Sequence, residues 1–303
     1  MTAPAASDPI RAGIVFALLA YGAWGVAPAY WKQLEDLPPF EILAYRVLSS
    51  AVVGLLLLTL GRSWRALRDA LGIRRVALVL STTALIIGGN WFLFLYAVVH
   101  DRIVDTSLGY FLTPLLNVAL GRLFLGERLR LWQGVAVALA AVGVARLAFE
   151  LGGLPWISLA LGGSFACYGL LRKWAPVPSL VAFATESSIL APLAGGYLAW
   201  LAWTGAGSAN ARVVLDGATG AWLAGTGLMT AGPLVWFASA ARRLPLSVVG
   251  LFQYIAPTVS LGLAVLVYGE PFLRSQLEAF GCIWLALAVY TWDWRRAASE
   301  VDP

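Results

Sequence analysis

Charge is what this chain has least of. Only 12% of its 303 residues are Asp, Glu, Lys or Arg, against 60% hydrophobic, and the mean hydropathy is +0.79. A water-soluble domain needs more charge to cover its surface, so that class is excluded and lipid is implied as the solvent. Lysine is nearly missing. Lys32 and Lys173 are the two present, and neither stands in a glycine-rich phosphate loop, which excludes a Walker A site. His100 is the sole histidine. With Asp101, Asp105 and Ser107 beside it, the residue reads as a helix-end cap rather than a hydrolase or metal site. Cysteine is scarce too: Cys167 and Cys282 both lie inside apolar runs and form no disulfide or metal motif. No metal and no cofactor are expected. The polar start, Met1 to Arg11, lacks the form of a signal peptide.

What is abundant is apolar sequence in long runs. Runs of roughly 18–24 residues can cross a hydrocarbon core about 30 Å thick. They fall at 12–31, 40–61, 75–98, 103–124, 130–149, 154–172, 178–203, 217–240, 245–267 and 272–293. The expectation is an all-α integral membrane protein of ten transmembrane helices. Fourteen Trp, ten Tyr and thirteen Phe fit it, since aromatic rings favour membrane interfaces.

The net charge of +5 does not form a nucleic-acid face, because the basic residues stand singly or in pairs between apolar runs. They set orientation instead. One set of helix ends carries fifteen Lys and Arg, from Arg11 and Arg62 to Arg296, and the opposite set carries five: Lys32, Arg102, Arg146, Arg212 and Arg274. The positive-inside rule then places both termini in the cytoplasm.

A shift of 143 residues superposes Gly89 on Gly232, Phe94 on Phe237, Pro114 on Pro257, Gly126-Glu127 on Gly269-Glu270, and Gln133 on Gln276. Two halves of five spans are implied, 1–150 and 151–303. An odd number of spans forces the second half to enter the membrane upside down. That inverted repeat is common among secondary transporters, with substrate held between the halves. Each Gly-Glu pair reads as a tight turn whose Glu caps the next helix.

Polar and aromatic groups inside the spans are the candidate substrate-binding residues. In the first span Tyr21, Trp24, Pro28 and Trp31 share one helical face; in the fourth Tyr110, Pro114 and Asn117 do, with Gln253, Pro257 and Ser260 as their repeat counterparts. Asn90, Trp91, Ser164, Tyr168, Trp236 and Tyr254 join them. Pro28, Pro114 and Pro257 are candidate helix breaks that free backbone carbonyls. Such a cavity suits amphipathic, aromatic or cationic solutes, the last through cation–π contacts. Packing between helices is the competing reading for each residue. Arg46 and Glu186 are the deepest ionisable groups. They are candidates for coupling or for an ion pair, with Glu186 exchanging a proton and Arg46 holding an anionic group.

The segments Tyr21-Gly22-Ala23-Trp24-Gly25-Val26-Ala27-Pro28, Glu41-Ile42-Leu43-Ala44-Tyr45-Arg46 and Gly88-Gly89-Asn90-Trp91 resemble the RarD family. So do Ser107-Leu108-Gly109-Tyr110-Phe111, Phe124-Leu125-Gly126-Glu127-Arg128 and Phe252-Gln253-Tyr254-Ile255-Ala256-Pro257-Thr258. That family lies in the EamA branch of the drug/metabolite transporter superfamily. The resemblance implies ten helices, a five-plus-five inverted repeat and a transporter of the bacterial inner membrane. It implies export of amino acids, metabolites or amphipathic drugs, and supplies no set of site residues. The expected function is secondary active export of small organic molecules by alternating access. Membrane lipid and a small-molecule substrate are the expected partners, with protons as a coupling ion, and neither nucleic acid nor an obligate protein partner is expected. Uptake, or a membrane-embedded enzyme acting on lipid-linked substrates, is the alternative. The enzyme would need clustered acids or histidines, and the chain is read as no enzyme.

Overall fold

A computed structural model describes residues 9–125, 130–150, 154–172, 177–206, 217–241, 243–244 and 252–301. Among them the regular structure is helical throughout. Helix α1 spans Pro9–Trp31 and runs into a 3₁₀ turn, Lys32–Leu34; α2 spans Pro39–Leu60, α3 Trp64–Gly72, α4 Arg74–Val99, α5 Ile103–Leu125 and α6 Leu131–Glu150. Then come α7 (Trp156–Arg172), α8 (Ser179–Thr204), α9 (Gly217–Ala241), α10 (Ile255–Gly262) and α11 (Arg274–Val301). Gly126, Glu127, Arg128, Lys173, Arg212 and Arg242 lie outside the described residues.

Five helices, and a sixth if α5 counts as one span, are long and apolar enough to cross a membrane among the described residues. The axis of α5 bends by 41° between Ile103–Thr113 and Leu115–Gly121, at the position of Pro114. A proline there supplies no N–H to the preceding turn. The outward faces are apolar: Val52, Leu56, Leu78, Leu85, Val142, Leu193 and Leu228 are all exposed, the reverse of a soluble protein. Exposed tryptophans gather near helix ends, as Trp64, Trp132, Trp156, Trp200, Trp203 and Trp222 do, where an indole can meet both lipid and water.

Helix α3 was not expected, because the segment reads as a charged connection. It is strongly amphipathic: Ala66, Leu67 and Ala70 pack against Val76, Leu80 and Val181 of α4 and α8 while Arg65 and Arg68 stay on the other side. The ninth apolar run also departs from a plain helix. After α10 the chain widens into a π-helical turn, Leu263–Val267, and stops where Gly269 takes a φ of +66°. The Glu270 N–H then reaches back to the Ala264 carbonyl at 2.9 Å, the wrap that a left-handed glycine permits at a helix end.

The helices before and after residue 150 interleave. Helix α2 packs along α8 and α9, α6 along α11, α5 along α7 and α10, α1 along α9 and α10, and α4 along α7 and α8. Helix α5 crosses α7 at close range. A Cβ on Gly109 would stand 2.7 Å from the Ser158 carbonyl oxygen, and one on Gly162 would stand 2.5 Å from that of Gly109. Only glycine lets the two backbones meet there, as small residues do at membrane helix interfaces. Helices α6 and α11 begin alike: Gln133 Oε1 accepts from the Arg130 N–H at 3.1 Å, and Gln276 Oε1 from the Leu273 N–H at 2.8 Å.

Candidate functional site

Helix α2 starts at a proline and carries Arg46 two turns inward, to a position 8% exposed. Its guanidinium carbon lies 4.7 Å from the ring centre of Trp31, the last residue of α1, and 4.4 Å from that of Trp91 on α4. Nε donates to Thr230 Oγ1 on α9 at 3.1 Å, and Thr230 in turn donates to the Thr226 carbonyl at 2.8 Å. Tyr110 of α5 is within electrostatic reach. Nη1 is buried and has no hydrogen-bond partner. Cation–π contact contributes about 0.5–2 kcal/mol per ring and satisfies none of the five N–H groups of a guanidinium. Four helices thus converge on one cation whose charge is cushioned but not paired.

Glu186 on α8 is buried equally well, at 3% exposure. Thr83 Oγ1 on α4 donates to its Oε1 at 2.7 Å, and the Tyr168 hydroxyl on α7 donates to Oε2 at 3.1 Å. Arg172, a turn further along α7, is its basic electrostatic neighbour. Glu186 and Arg46 therefore keep separate company, and no ion pair joins them. The two centres are linked through α4, which supplies Trp91 to one and Thr83 to the other.

The structure gathers some of the expected residues and separates others. Trp91, Tyr110 and Arg46 come together, and Tyr168 meets Glu186. Tyr21 is buried beside Trp24, with ring centres 5.3 Å apart, and both meet Phe237 at about the same range, 6.1 and 6.0 Å. Asn90 donates both amide hydrogens to α7, to the Leu161 carbonyl at 3.0 Å and Ser164 Oγ at 2.9 Å. Ser260 donates to the Gly25 carbonyl at 2.9 Å and so joins α10 to α1. Trp236 and Gln253 are half-buried, Pro28 and Pro257 buried, and Asn117 exposed. Tyr254 stacks on Phe111 and walls a groove of about 340 Å³ with Leu287, Ala288, Thr291 and Trp292 of α11. Among the described residues no three of His, Cys, Asp and Glu are grouped to hold a metal ion.

A second polar cluster ties helix ends together on the face that carries few basic residues. Lys32 Nζ bonds Asp101 Oδ1 at 2.5 Å and Glu35 Oε2 at 3.0 Å, and lies 5.6 Å from the Tyr268 ring centre. Glu270 does not cap the helix that follows it, as its turn suggested. Its two oxygens accept from the Ile103 and Val104 N–H groups, each at 2.9 Å, so it caps α5. The first amides of a helix are its free donors and its positive end, which is why a carboxylate settles there. Burial pushes the Glu270 carboxyl up from the ordinary carboxylate range, and the two amide donors pull it back. His100 ends α4 with Nδ1 2.8 Å from the Tyr96 carbonyl oxygen.

Thr83, Thr230, Lys32 and Glu270 were missed as parts of these clusters. Hydroxyls in apolar spans are common and usually bond their own helix, so nothing local marked the two threonines.

Comparison with known proteins fits this arrangement. Residues 11–149 match the EamA-like transporter family. An uncharacterized transporter of Vibrio cholerae is 42% identical over 292 residues, covering 95% of this chain and 94% of the relative. Protein RarD of Streptomyces exfoliatus is 42% identical over 294 residues (97% and 92%), and Protein RarD of Escherichia coli 40% over 283 residues (93% and 95%). One crystal structure shares the fold with a TM-score of 0.60, at 21% identity over 94% of this chain and 97% of that one. At such identity over nearly the full length, the chain is a multi-pass membrane protein that belongs to the RarD family, in the EamA branch of the drug/metabolite transporters.

Proposed function

We propose that the chain is a secondary active exporter of small organic molecules in the bacterial inner membrane. In this reading ten spans cross the membrane, both termini are cytoplasmic, and residues 1–150 and 151–303 are inverted repeats that rock about a central site. The observation that carries it is the reciprocity of packing. Helix α1 meets α9 and α10 as α7 meets α4 and α5; α2 meets α9 as α8 meets α4; and α2 with α8, α5 with α10, and α6 with α11 pair counterpart with counterpart. Exchange of the two halves leaves that pattern unchanged, as a pseudo-two-fold axis requires. The matching glutamine bonds at the starts of α6 and α11 support the same register.

The two polar clusters have natural roles in such a cycle. Lys32, Asp101 and Glu270 join the ends of α1, α4, α5 and α10, and so form a closed gate on what the charge count reads as the external face. Glu186, in contact with hydroxyls from α4 and α7, is the group that exchanges a coupling proton. The test is flux through purified protein in liposomes, with radiolabelled amino acids, quaternary amines and chloramphenicol, with and without a pH gradient. Substrate-dependent counterflow is expected. Its absence across the panel overturns the transporter reading, and flux confined to the uptake direction overturns export.

A further inference from the structure

We infer that the central site takes its solute by a carboxylate, held edge-on by Arg46 beside the indoles of Trp31 and Trp91. The inference rests on the transporter reading and narrows its substrate class. The aromatic walls expected to hold a cationic solute are already occupied by a cation of the protein itself. Two rings stand 4.7 and 4.4 Å from the guanidinium carbon and satisfy none of its N–H groups, so its N–H edge is where a ligand would be held. That edge is the one matching a carboxylate through two parallel hydrogen bonds. Nε is engaged by Thr230, and Nη1 is buried without an acceptor.

The charge balance points the same way. Arginine stays protonated even when buried, and an uncompensated buried charge is costly. The buried Glu186 is bonded to Thr83 and Tyr168 instead of to Arg46. A single positive charge calls for one negative charge in return. A monocarboxylate meets that need; a phosphate dianion would be left half-compensated, and a cation would be repelled. The body of the solute would then lie against Tyr110, half-buried on α5.

Two readouts test this on the full-length protein in nanodiscs and liposomes. Tryptophan fluorescence is titrated with amino acids and with aliphatic and aromatic monocarboxylates, each beside its own amide, and with tetraphenylphosphonium as the cation. Acids should bind at least about tenfold more tightly than their amides, the size of a charge-assisted pair. Arg46→Gln, whose amide can still reach Thr230, should erase that difference, and Arg46→Lys should keep part of it. Equal binding of acids and amides by the unmodified protein, or preference for the cation, overturns the inference whether or not either variant folds. Counterflow of a neutral or cationic solute in the same liposomes would leave the transporter reading standing while the inference falls. Acid preference seen in phosphatidylcholine but abolished by phosphatidylglycerol would assign the edge to a lipid headgroup and also overturn it.

Discussion

Individual side chains divide into those that hold the helices together and those with capacity left over. Asn90 and Ser260 have their donors committed to neighbouring helices, bonds worth about 0.6–1.7 kcal/mol in a membrane. Trp24 and Gln253 are only half-buried, so truncation removes less packing there. Trp24→Ala and Gln253→Ala are each expected to weaken solute binding while leaving the detergent melting temperature nearly unchanged; binding that stays constant per folded molecule while both variants melt early would make them packing residues. Glu186→Gln should keep one hydroxyl bond at each end of its amide and hence the fold. It should lose acceleration of flux by a pH gradient while gradient-free counterflow continues. Full proton-driven flux in that variant would remove Glu186 from the coupling role.

The long apolar helices were legible because lipid imposes one pattern on them: apolar runs of spanning length, with punctuation between. The boundaries of α2 and α8 follow that punctuation, from Pro38 and Pro178 at two helix starts to Gly205 at an end. Helix α3 was not legible, since its mixed composition resembles a loop until the sides of α4 and α8 give its apolar face a partner. The site was legible in part. An arginine and a glutamate deep in apolar sequence stood out by their cost, but the partners of Arg46 lie on α1, α4 and α9, and no local spacing points to them. Glu270 was misassigned for the same reason: adjacency favoured the following helix, whereas the free amides of α5 lay closer in space. At this scale two substitutions are diagnostic. Gly162→Leu should prevent α5 and α7 from closing, costing about 1–3 kcal/mol or more, visible as early unfolding on heating. Glu270→Ala leaves two buried amides of α5 unmet and should cost about 1–2 kcal/mol in the same measurement.

For the molecule as a whole, orientation in the membrane can be read by labelling its two faces. With Cys167 and Cys282 replaced by alanine, Ala206→Cys should react with a membrane-impermeant maleimide in intact cells, and Arg62→Cys only after permeabilisation. The opposite labelling would reverse the gate and the direction of export together. Both positions are exposed at helix ends, so neither substitution disturbs the core.

The interleaving of helices also bears on how such a chain comes to exist. Helices α1, α2, α4 and α5 leave the ribosome with their inward faces made for α7 to α10, which have not yet been synthesised. Until the second half arrives, Arg46 lacks Thr230, Asn90 lacks Leu161, and the amides of α5 lack Glu270. The first half must therefore wait in the bilayer with charged and polar groups unmet, shielded by whatever the insertion machinery or passing water provides. Assembly is then a late event that depends on the last helices, so a chain stopped early is left with its most costly residues bare, marked for removal by the cell's quality control.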